Sequence, residues 1–231
     1  MNWSPASAVA TSSTERQRDN AAAVITCHSR DCLITESRKD HDLILWRRPL
    51  PQCLVAWLNR IEPQHLPHLR ILVDVYSVRE ALMCELNRDG LAHTAMRELL
   101  IDDVEMLART FTQIAQCKLV DIRLERITDN ACRLFHRDNV RLRLLTTYRG
   151  PSTEWVEPEF AHIALRNSGR FCLPIRRLED HEAALFRGCL SRPDRGTVHR
   201  SPPIEGSGQT RLFLCLNERS KVSPNEWRRH A

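Results

Sequence analysis

The spacing of apolar residues along the chain changes near Lys118. Before this point apolar residues recur every three or four positions, which predicts amphipathic helices. After it, apolar and charged residues alternate, as in the stretch VDIRLERIT at residues 120–128, and this alternation predicts half-buried strands. The pattern predicts an α+β protein in which a mainly helical part precedes a β domain.

Three helices are predicted in the first half, over about residues 50–61, 67–87 and 94–117. The pair Glu62-Pro63 ends the first helix, and Asp89-Gly90 breaks the second. Their apolar faces predict packing surfaces and carry little chemistry.

Short strands separated by Gly, Pro, Asn and Ser are predicted in the second half. Besides residues 120–128, the candidates are residues 131–138, 140–148, 160–165, 171–175, 183–187, 197–201 and 211–216. About eight short strands after a helical half predict a double-stranded β-helix, or jelly roll, braced by helices.

This pattern divides the chain into four segments. Residues 1–22 are rich in Ser, Thr, Ala and charge, which predicts disorder. Residues 23–117 form the mainly helical part packed on the barrel, residues 118–218 form the jelly-roll metal-binding domain, and residues 219–231 form a C-terminal tail.

The chain has nine cysteines, an odd number without a repeating spacing, which favours reduced thiols in a cytoplasmic protein. We find no signal-peptide pattern and no apolar run of about 18 residues, so no membrane association is expected. A zinc site of Cys27, His28, Cys32 and His41 is conceivable, but no second cysteine pair follows at finger-like spacing. Ordinary core and surface thiols are the favoured interpretation.

The net charge of +5 arises from 34 basic and 29 acidic residues that are interleaved along the chain. Interleaved charges are typical of a solvated surface. Without a basic stripe or a row of stacking aromatics, the sequence argues against nucleic acid as a partner. We also find no Gly-rich phosphate loop, G-x-S-x-G elbow or internal repeat, which removes several common enzyme classes.

Candidate metal ligands lie in the most strand-like part of the chain. Alternate residues of a strand point to the same side about 6.6 Å apart, so His136 and Asp138 can reach one ion. His199, which lies 63 residues further on in a second strand-like run, is the best third ligand, with His162 and His181 as rivals. Alone, H-x-D is short and common and is more often a surface turn. Two histidines and one carboxylate with open positions are typical of non-haem Fe(II) oxygenases.

The second half resembles the iron and 2-oxoglutarate-dependent oxygenases of the prolyl-hydroxylase type. The resemblance rests on HRD at 136–138, RLRLLTTY at 141–148, ALFRG at 184–188 and HRSPPIEGSGQTR at 199–211. It implies that His136, Asp138 and His199 hold Fe(II) in a dioxygenase, an oxidoreductase, and that Arg211 binds the cosubstrate 2-oxoglutarate.

Arg211 precedes a position, Phe213, at which many relatives of the hydroxylase type carry a hydroxyl group. An unbroken strand from His136 would place Thr146 and Tyr148 on the side of the metal, so we expect these two to supply the missing hydroxyls. The alternative is an Arg211 paired at the rim of the barrel with one of three acids, Glu154, Glu157 or Glu205.

The whole chain also resembles a bacterial family, domain of unknown function 1826, through LWRRPLP, HRDN, TYRGPSTEW and VHRSPP. Genes of that family are associated with zinc-responsive neighbourhoods. The resemblance therefore implies an alternative function, a non-catalytic metal-binding protein of zinc homeostasis with Zn in place of iron. The substrate, a small molecule or a protein, and the oligomeric state stay open.

Overall fold

The computed structural model of the protein describes residues 24–191 and 195–229. The segment predicted to be disordered, residues 1–22, lies outside the described residues. The strands are β1 (Val24–Cys27), β2 (Leu43–Trp46), β3 (Leu69–Asp74), β4 (Leu119–Ile127), β5 (Leu142–Arg149), β6 (Glu154–Trp155), β7 (Arg176–Arg177), β8 (Ala183–Arg187), β9 (His199–Arg200) and β10 (Arg211–Glu218). The α-helices are α1 (Arg30–Glu36), α2 (Gln52–Arg60), α3 (Val78–Arg88), α4 (Ala95–Ala115) and α5 (Ala161–Arg166).

The strands form two sheets in a mixed α/β protein. The large sheet has seven strands in the order β1-β2-β8-β5-β10-β4-β3, and the small sheet has the order β7-β6-β9. Neighbouring strands are antiparallel, except that β1 and β2 are parallel. The last strand in sequence, β10, lies in the middle of the large sheet between β5 and β4.

The two faces of the large sheet have different cores. On β10, Leu212, Leu214 and Leu216 belong to the main core, which includes the buried faces of α2, α3 and α4. Phe213 points to the opposite face and packs with a second apolar cluster that includes Trp155 of the small sheet. Because residues of a strand alternate between faces, the odd-numbered side chains of β10 point into the space between the two sheets.

The helix predicted over residues 94–117 is confirmed by α4. The Thr94 side chain accepts a hydrogen bond from the backbone N–H of Arg97, and Glu98 lies in the first turn. Gln116 caps the C-terminal end of the helix and has a left-handed φ of 53°. Its backbone N–H donates to a carbonyl of the last helical turn. The first predicted helix corresponds to α2.

The helix predicted over residues 67–87 is wrong in its first half, where the structure has β3. Leu69, Ile71 and Val73 face the main core from β3, and the strand pairs in register with β4. The apolar residues of this short run fit both the helical period of 3.6 residues and the strand period of two. Pairing with β4 therefore decides that the run is a strand. With β1 and β2, the first half contributes three strands to the large sheet, and the helical part is not separate from that sheet.

The predicted strands at residues 120–128, 140–148, 183–187, 197–201 and 211–216 are confirmed by β4, β5, β8, β9 and β10. The strand predicted at residues 160–165 is wrong because helix α5 occupies it. Residues 171–175 form no strand, and residues 131–138 contribute only one bridge, at His136. Within the described residues, no helix is long and apolar enough to cross a membrane.

Candidate metal centre

His136, Asp138 and His199 meet between the two sheets. His136 forms an antiparallel bridge with His199 of β9, in which each backbone N–H donates to the other carbonyl, at 3.0 and 3.1 Å. The two imidazole rings lie 4.5 Å apart between centroids. One ligand atom from each of the three residues lies within 4.8 Å of the others, which is close enough for all three to contact one ion.

The backbone around Asp138 is fixed by the turn that follows β8. The backbone N–H of Cys189 donates to the Asp138 carbonyl at 2.9 Å. A Cβ on Gly188 would lie 2.6 Å from that carbonyl oxygen and 2.2 Å from the carbonyl oxygen of Val140. Only glycine therefore lets the two segments approach closely enough to hold the carboxylate in place.

The two oxygens of the buried Asp138 carboxylate have different surroundings. Oδ1 accepts a short hydrogen bond from Arg143, while Oδ2 is buried and accepts no hydrogen bond from any described residue. Nε2 of His136 lies 3.6 Å from Oδ1, and Nε2 of His199 lies 3.4 Å from Oδ2. These separations exceed those of ordinary hydrogen bonds.

Backbone carbonyls determine which nitrogen of each histidine carries the proton. Nδ1 of His136 lies 2.9 Å from the carbonyl oxygen of Leu134, and Nδ1 of His199 lies 3.1 Å from that of Thr197. A carbonyl can only accept, so each neutral ring has its proton on Nδ1 and a lone pair on Nε2. Two lone pairs and a carboxylate thus face one another, an arrangement that a cation between them would stabilise.

Two of the three residues, Asp138 and His199, have the protonation state of a metal ligand at neutral pH. Burial lowers the pKa of His199 to about 4, whereas the contact with Asp138 raises the pKa of His136. Burial alone would raise the pKa of Asp138, but the contact with His136 and the nearby His199 and Arg143 outweigh it and lower the pKa to about 2. Asp138 is therefore ionised and His199 is neutral over the physiological range.

An apolar cluster lies beside the three ligands. Phe186 of β8 packs edge-on against the His199 ring with centroids 4.7 Å apart, and Trp155 is paired with His199 across β6 and β9. Trp155 and Phe186 pack with Leu145 and Phe213. The indole N–H of Trp155 is buried and has no acceptor among the described residues.

Arg211 lies on the same inward face and is buried without a carboxylate partner. Arg211 is 1% exposed, and its Nη2 lies 3.4 Å from both Thr147 Oγ1 and Thr153 Oγ1. Its Nε–H has no acceptor among the described residues, and its guanidinium carbon lies 5.0 Å from the ring centre of Phe213. Burial, together with the charge of Arg177, lowers the pKa of Arg211 to about 10.

The three acids considered as rim partners for Arg211 are bonded elsewhere. Glu154 accepts hydrogen bonds from Arg177 and Arg200, Glu157 from Arg176, and Glu205 from Asn130. The rim alternative is therefore wrong, and Arg211 points inward.

The prediction that Thr146 and Tyr148 share the face of the metal ligands is wrong. Tyr148 packs in the main core and donates to Asp103 of α4 at 2.5 Å, and Thr146 donates to the carbonyl of His181. The strand is not continuous from His136, because β5 begins at Leu142 and the residues between follow an irregular path. The inward face of β5 consequently carries Arg143, Leu145 and Thr147.

Four residues around the centre were not predicted from the sequence to belong to it: Arg143, Thr147, Thr153 and Trp155. The apolar residues Leu142 and Leu144 could have predicted the orientation of β5. Both belong to the main core, so the residues that alternate with them lie on the opposite face of the strand. The rival ligands lie outside the group of three: His162 is exposed on α5, and His181 has Nδ1 3.3 Å from the carbonyl of Thr147.

Comparison with known proteins identifies the family of this chain. Residues 29–217 match the family described as "Protein of unknown function (DUF1826)", and the chain belongs to this family. No curated protein matches the sequence.

The fold is similar to that of solved dioxygenase structures. The dioxygenase for auxin oxidation of rice superposes with a TM-score of 0.50 at 8% identity, covering 84% of this chain and 81% of that one. The 2-oxoglutarate complex of the Arabidopsis thaliana dioxygenase for auxin oxidation 1 gives 0.49 at 11% identity, covering 88% and 95%. The Kdo hydroxylase KdoO, a non-haem Fe(II) α-ketoglutarate-dependent dioxygenase, gives 0.42 at 10% identity, covering 84% and 88%. At these identities the likeness concerns the fold alone.

Proposed function

We propose that the protein is an Fe(II)- and 2-oxoglutarate-dependent dioxygenase. The observation that carries the proposal is the group formed by His136, Asp138 and His199, in which two Nε2 lone pairs and a carboxylate face one another. Two histidines and one carboxylate are the ligand set of non-haem Fe(II) oxygenases.

The arrangement of strands supports a jelly-roll barrel around this group. Four antiparallel strands of the large sheet, in the order β8-β5-β10-β4, form one wall. The small sheet β7-β6-β9, extended by the bridge at His136, forms the facing wall. The two histidines lie on the small-sheet side, because His199 belongs to β9 and His136 bridges to it.

The surroundings of Arg211 fit an anionic cosubstrate. Its Nε–H is buried and finds no acceptor in the described part of the chain, and a buried cation is favoured when an anion accompanies it. Thr147 and Thr153 each face Nη2 with their hydroxyl oxygen, so both hydroxyl protons stay available for donation. A carboxylate placed here would receive hydrogen bonds from three neighbouring groups, and we assign this position to the distal carboxylate of 2-oxoglutarate.

When both groups are bound, iron would activate O2 to oxidise the substrate while 2-oxoglutarate is converted to succinate and CO2. The chain itself would hold the metal through His136, Asp138 and His199, and would fix the cosubstrate through Arg211. The apolar cluster beside His199 would exclude water from the space between them. The substrate, a small molecule or a protein, and a cytoplasmic location are parts of this proposal; the scattered free cysteines support the location.

The alternative function, a non-catalytic metal-binding protein of zinc homeostasis, would be favoured by a closed site with four protein ligands. Over residues 24–191 and 195–229, the centre consists of three clustered ligand residues and has no fourth. Three ligands leave positions open for a cosubstrate and O2, which favours the dioxygenase.

The test is anaerobic purification, metal analysis and titration of the Fe(II)-loaded protein with 2-oxoglutarate. We expect a metal-to-ligand charge-transfer band that saturates with one equivalent of cosubstrate, and slow formation of succinate once O2 is admitted. Tight stoichiometric zinc with no band would contradict the dioxygenase and support the zinc alternative.

A further inference from the structure

Cys27 and Cys32 bring their sulfur atoms to 2.7 Å from each other. Cys27 is the last residue of β1, and Cys32 lies in the first turn of α1. The Ser29 hydroxyl accepts a hydrogen bond from the backbone N–H of Cys32 at 3.1 Å, which fixes the start of the helix over the end of the strand. The sulfurs are thus within about 0.7 Å of covalent bonding distance.

A metal does not explain this contact. Among the described residues, the two cysteines do not belong to a cluster of three or more residues that could hold a metal ion. The histidines nearest in sequence point elsewhere: Nε2 of His41 bonds Glu36 at 2.8 Å, and His28 is exposed. The zinc site conceived from the sequence therefore lacks its third and fourth ligands.

We propose that Cys27 and Cys32 are a modification site that forms a reversible disulfide, with Cys32 as the thiol that meets the oxidant. The order follows from burial, because Cys27 is fully buried in the main core whereas Cys32 is partly exposed. Burial and the contact with Cys32 raise the pKa of Cys27 to about 12, which keeps the inner thiol protonated.

The oxidant that we assign is a hydroperoxide. The Cys32 sulfur attacks the outer oxygen of the hydroperoxide, which gives a sulfenic acid on Cys32 and releases an alcohol or water. The Cys27 sulfur then attacks the sulfur of that sulfenic acid and loses its proton as the hydroxyl group departs as water. One S–S bond forms, two thiols are oxidised by two electrons, and the peroxide O–O bond is reduced.

The disulfide would link β1, the edge strand of the large sheet, to α1, and the segment after α1 contacts β8. The segment after α1 accepts hydrogen bonds from Arg187 through the carbonyls of Ser37, Lys39 and His41. None of the other seven cysteines contacts a second cysteine sulfur within the described residues. The chemistry is therefore specific to this pair, and it lies on the helical face of the sheet, away from the metal ligands.

The test uses the full-length protein, treated with increasing hydrogen peroxide and then with an alkylating reagent that blocks free thiols. Trypsin cuts after Arg30 and Arg38, so Cys27 and Cys32 fall on separate peptides, residues 19–30 and 31–38. We expect these two peptides to become cross-linked at the lowest peroxide doses, with the loss of two hydrogen atoms, and to separate again after dithiothreitol.

Cys53→Ser, which removes an exposed cysteine of α2, is the matched control and should keep the cross-link. Cys32→Ser should lose the cross-link and leave Cys27 reduced at the same dose. Because Cys32→Ser could also perturb α1, the unfolding midpoint of oxidised and reduced wild type is compared too, and oxidation should raise it. Alkylation of both thiols while other cysteines oxidise, or equal midpoints, would overturn the proposal.

Discussion

Arg143 donates a hydrogen bond to Oδ1 of Asp138, so a cation is fixed beside the carboxylate that faces both histidines. The Nε–H of the same guanidinium donates to the Asn217 side chain at 2.7 Å, which holds it from a second strand. Arg143 thereby leaves Oδ2 of Asp138 as the oxygen without a donor. The position of Arg143 orients the carboxylate before any metal arrives.

Replacement of Arg143 by Gln should therefore weaken metal binding. A glutamine cannot hold both Asp138 and Asn217 with the same charge, and outer partners of metal ligands typically contribute about 10- to 100-fold in affinity. Competition between the protein and a calibrated chelator for Co(II) measures the change. Arg141→Gln, at an exposed ion pair with Glu218, is the control and should bind Co(II) as the wild type does. An unchanged affinity in Arg143→Gln would show that the guanidinium does not orient the ligand.

Asp138→Ala should abolish stoichiometric metal binding and leave the fold intact. The two remaining histidines chelate poorly, and the apolar clusters are formed by other residues. Metal content after anaerobic loading and the far-UV circular dichroism spectrum measure the two expectations. His162→Ala, which removes an exposed histidine of α5, should keep the metal. If Asp138→Ala retained one metal per chain, the ligands would have to lie elsewhere.

Arg211→Met should change the stability of the free protein and cosubstrate binding in opposite directions. Without an anion, a buried guanidinium is unfavourable, so the free variant should be more stable than the wild type by at least about 1 kcal/mol. Its affinity for 2-oxoglutarate should fall by about 2 to 5 kcal/mol, the usual cost of removing one member of a desolvated charge pair.

Urea unfolding of both free proteins and calorimetric titration of the metal-loaded proteins test these two changes for Arg211→Met. Arg177→Gln, whose charge lies near Arg211 but whose side chain bonds Glu154, serves as the comparison and should bind 2-oxoglutarate with little change. Unchanged cosubstrate affinity in Arg211→Met would place the anchor at another residue.

Tyr148→Phe should alter stability at high pH without altering cosubstrate binding. Burial, with the nearby Asp103 as a second cause, raises the pKa of Tyr148 well above 10. The folded state keeps its proton above pH 10 while the unfolded state loses it, so the wild type should lose about 1.4 kcal/mol of stability per pH unit in that range because of this residue. The variant should lack this contribution.

Urea unfolding at pH 9, 10 and 11 compares Tyr148→Phe with the wild type. An equal pH dependence in the two proteins would mean that Tyr148 ionises freely in the folded state. A weaker affinity of the variant for 2-oxoglutarate would show that Tyr148 contributes to cosubstrate binding, as the sequence predicted.

The residues of the candidate centre could be predicted from the sequence because local patterns specify them. His136 and Asp138 are two positions apart, and His199 lies in a second strand-like run, so the structure brings the three together as expected. The face to which each residue of β5 points could not be predicted by counting alternate positions from Asp138. Side-chain alternation is lost wherever the backbone leaves the strand. Thr146 and Tyr148 were placed on the wrong face for that reason, and Thr147 lies beside Arg211 instead.

The strands of the first half escaped prediction for a different reason. In β2, the run LILW is apolar at every position because both faces are covered, so it has no period of two. In β3, Leu69, Leu72 and Val73 satisfy helical spacing as well as a strand. Pairing with distant segments decides these conformations, and such pairing leaves no signal within a short window.

The central position of β10 in the large sheet determines the order in which the protein can fold during synthesis. Residues 211–218 follow every other strand in sequence, yet they join β5 to β4 through hydrogen bonds on both edges. Until these residues leave the ribosome, β1-β2-β8-β5 and β4-β3 are two half-sheets with exposed edges, and such edges are prone to aggregation. The nascent chain therefore depends on rapid closure by its last strand, or on a chaperone that covers β5 and β4 until that strand arrives.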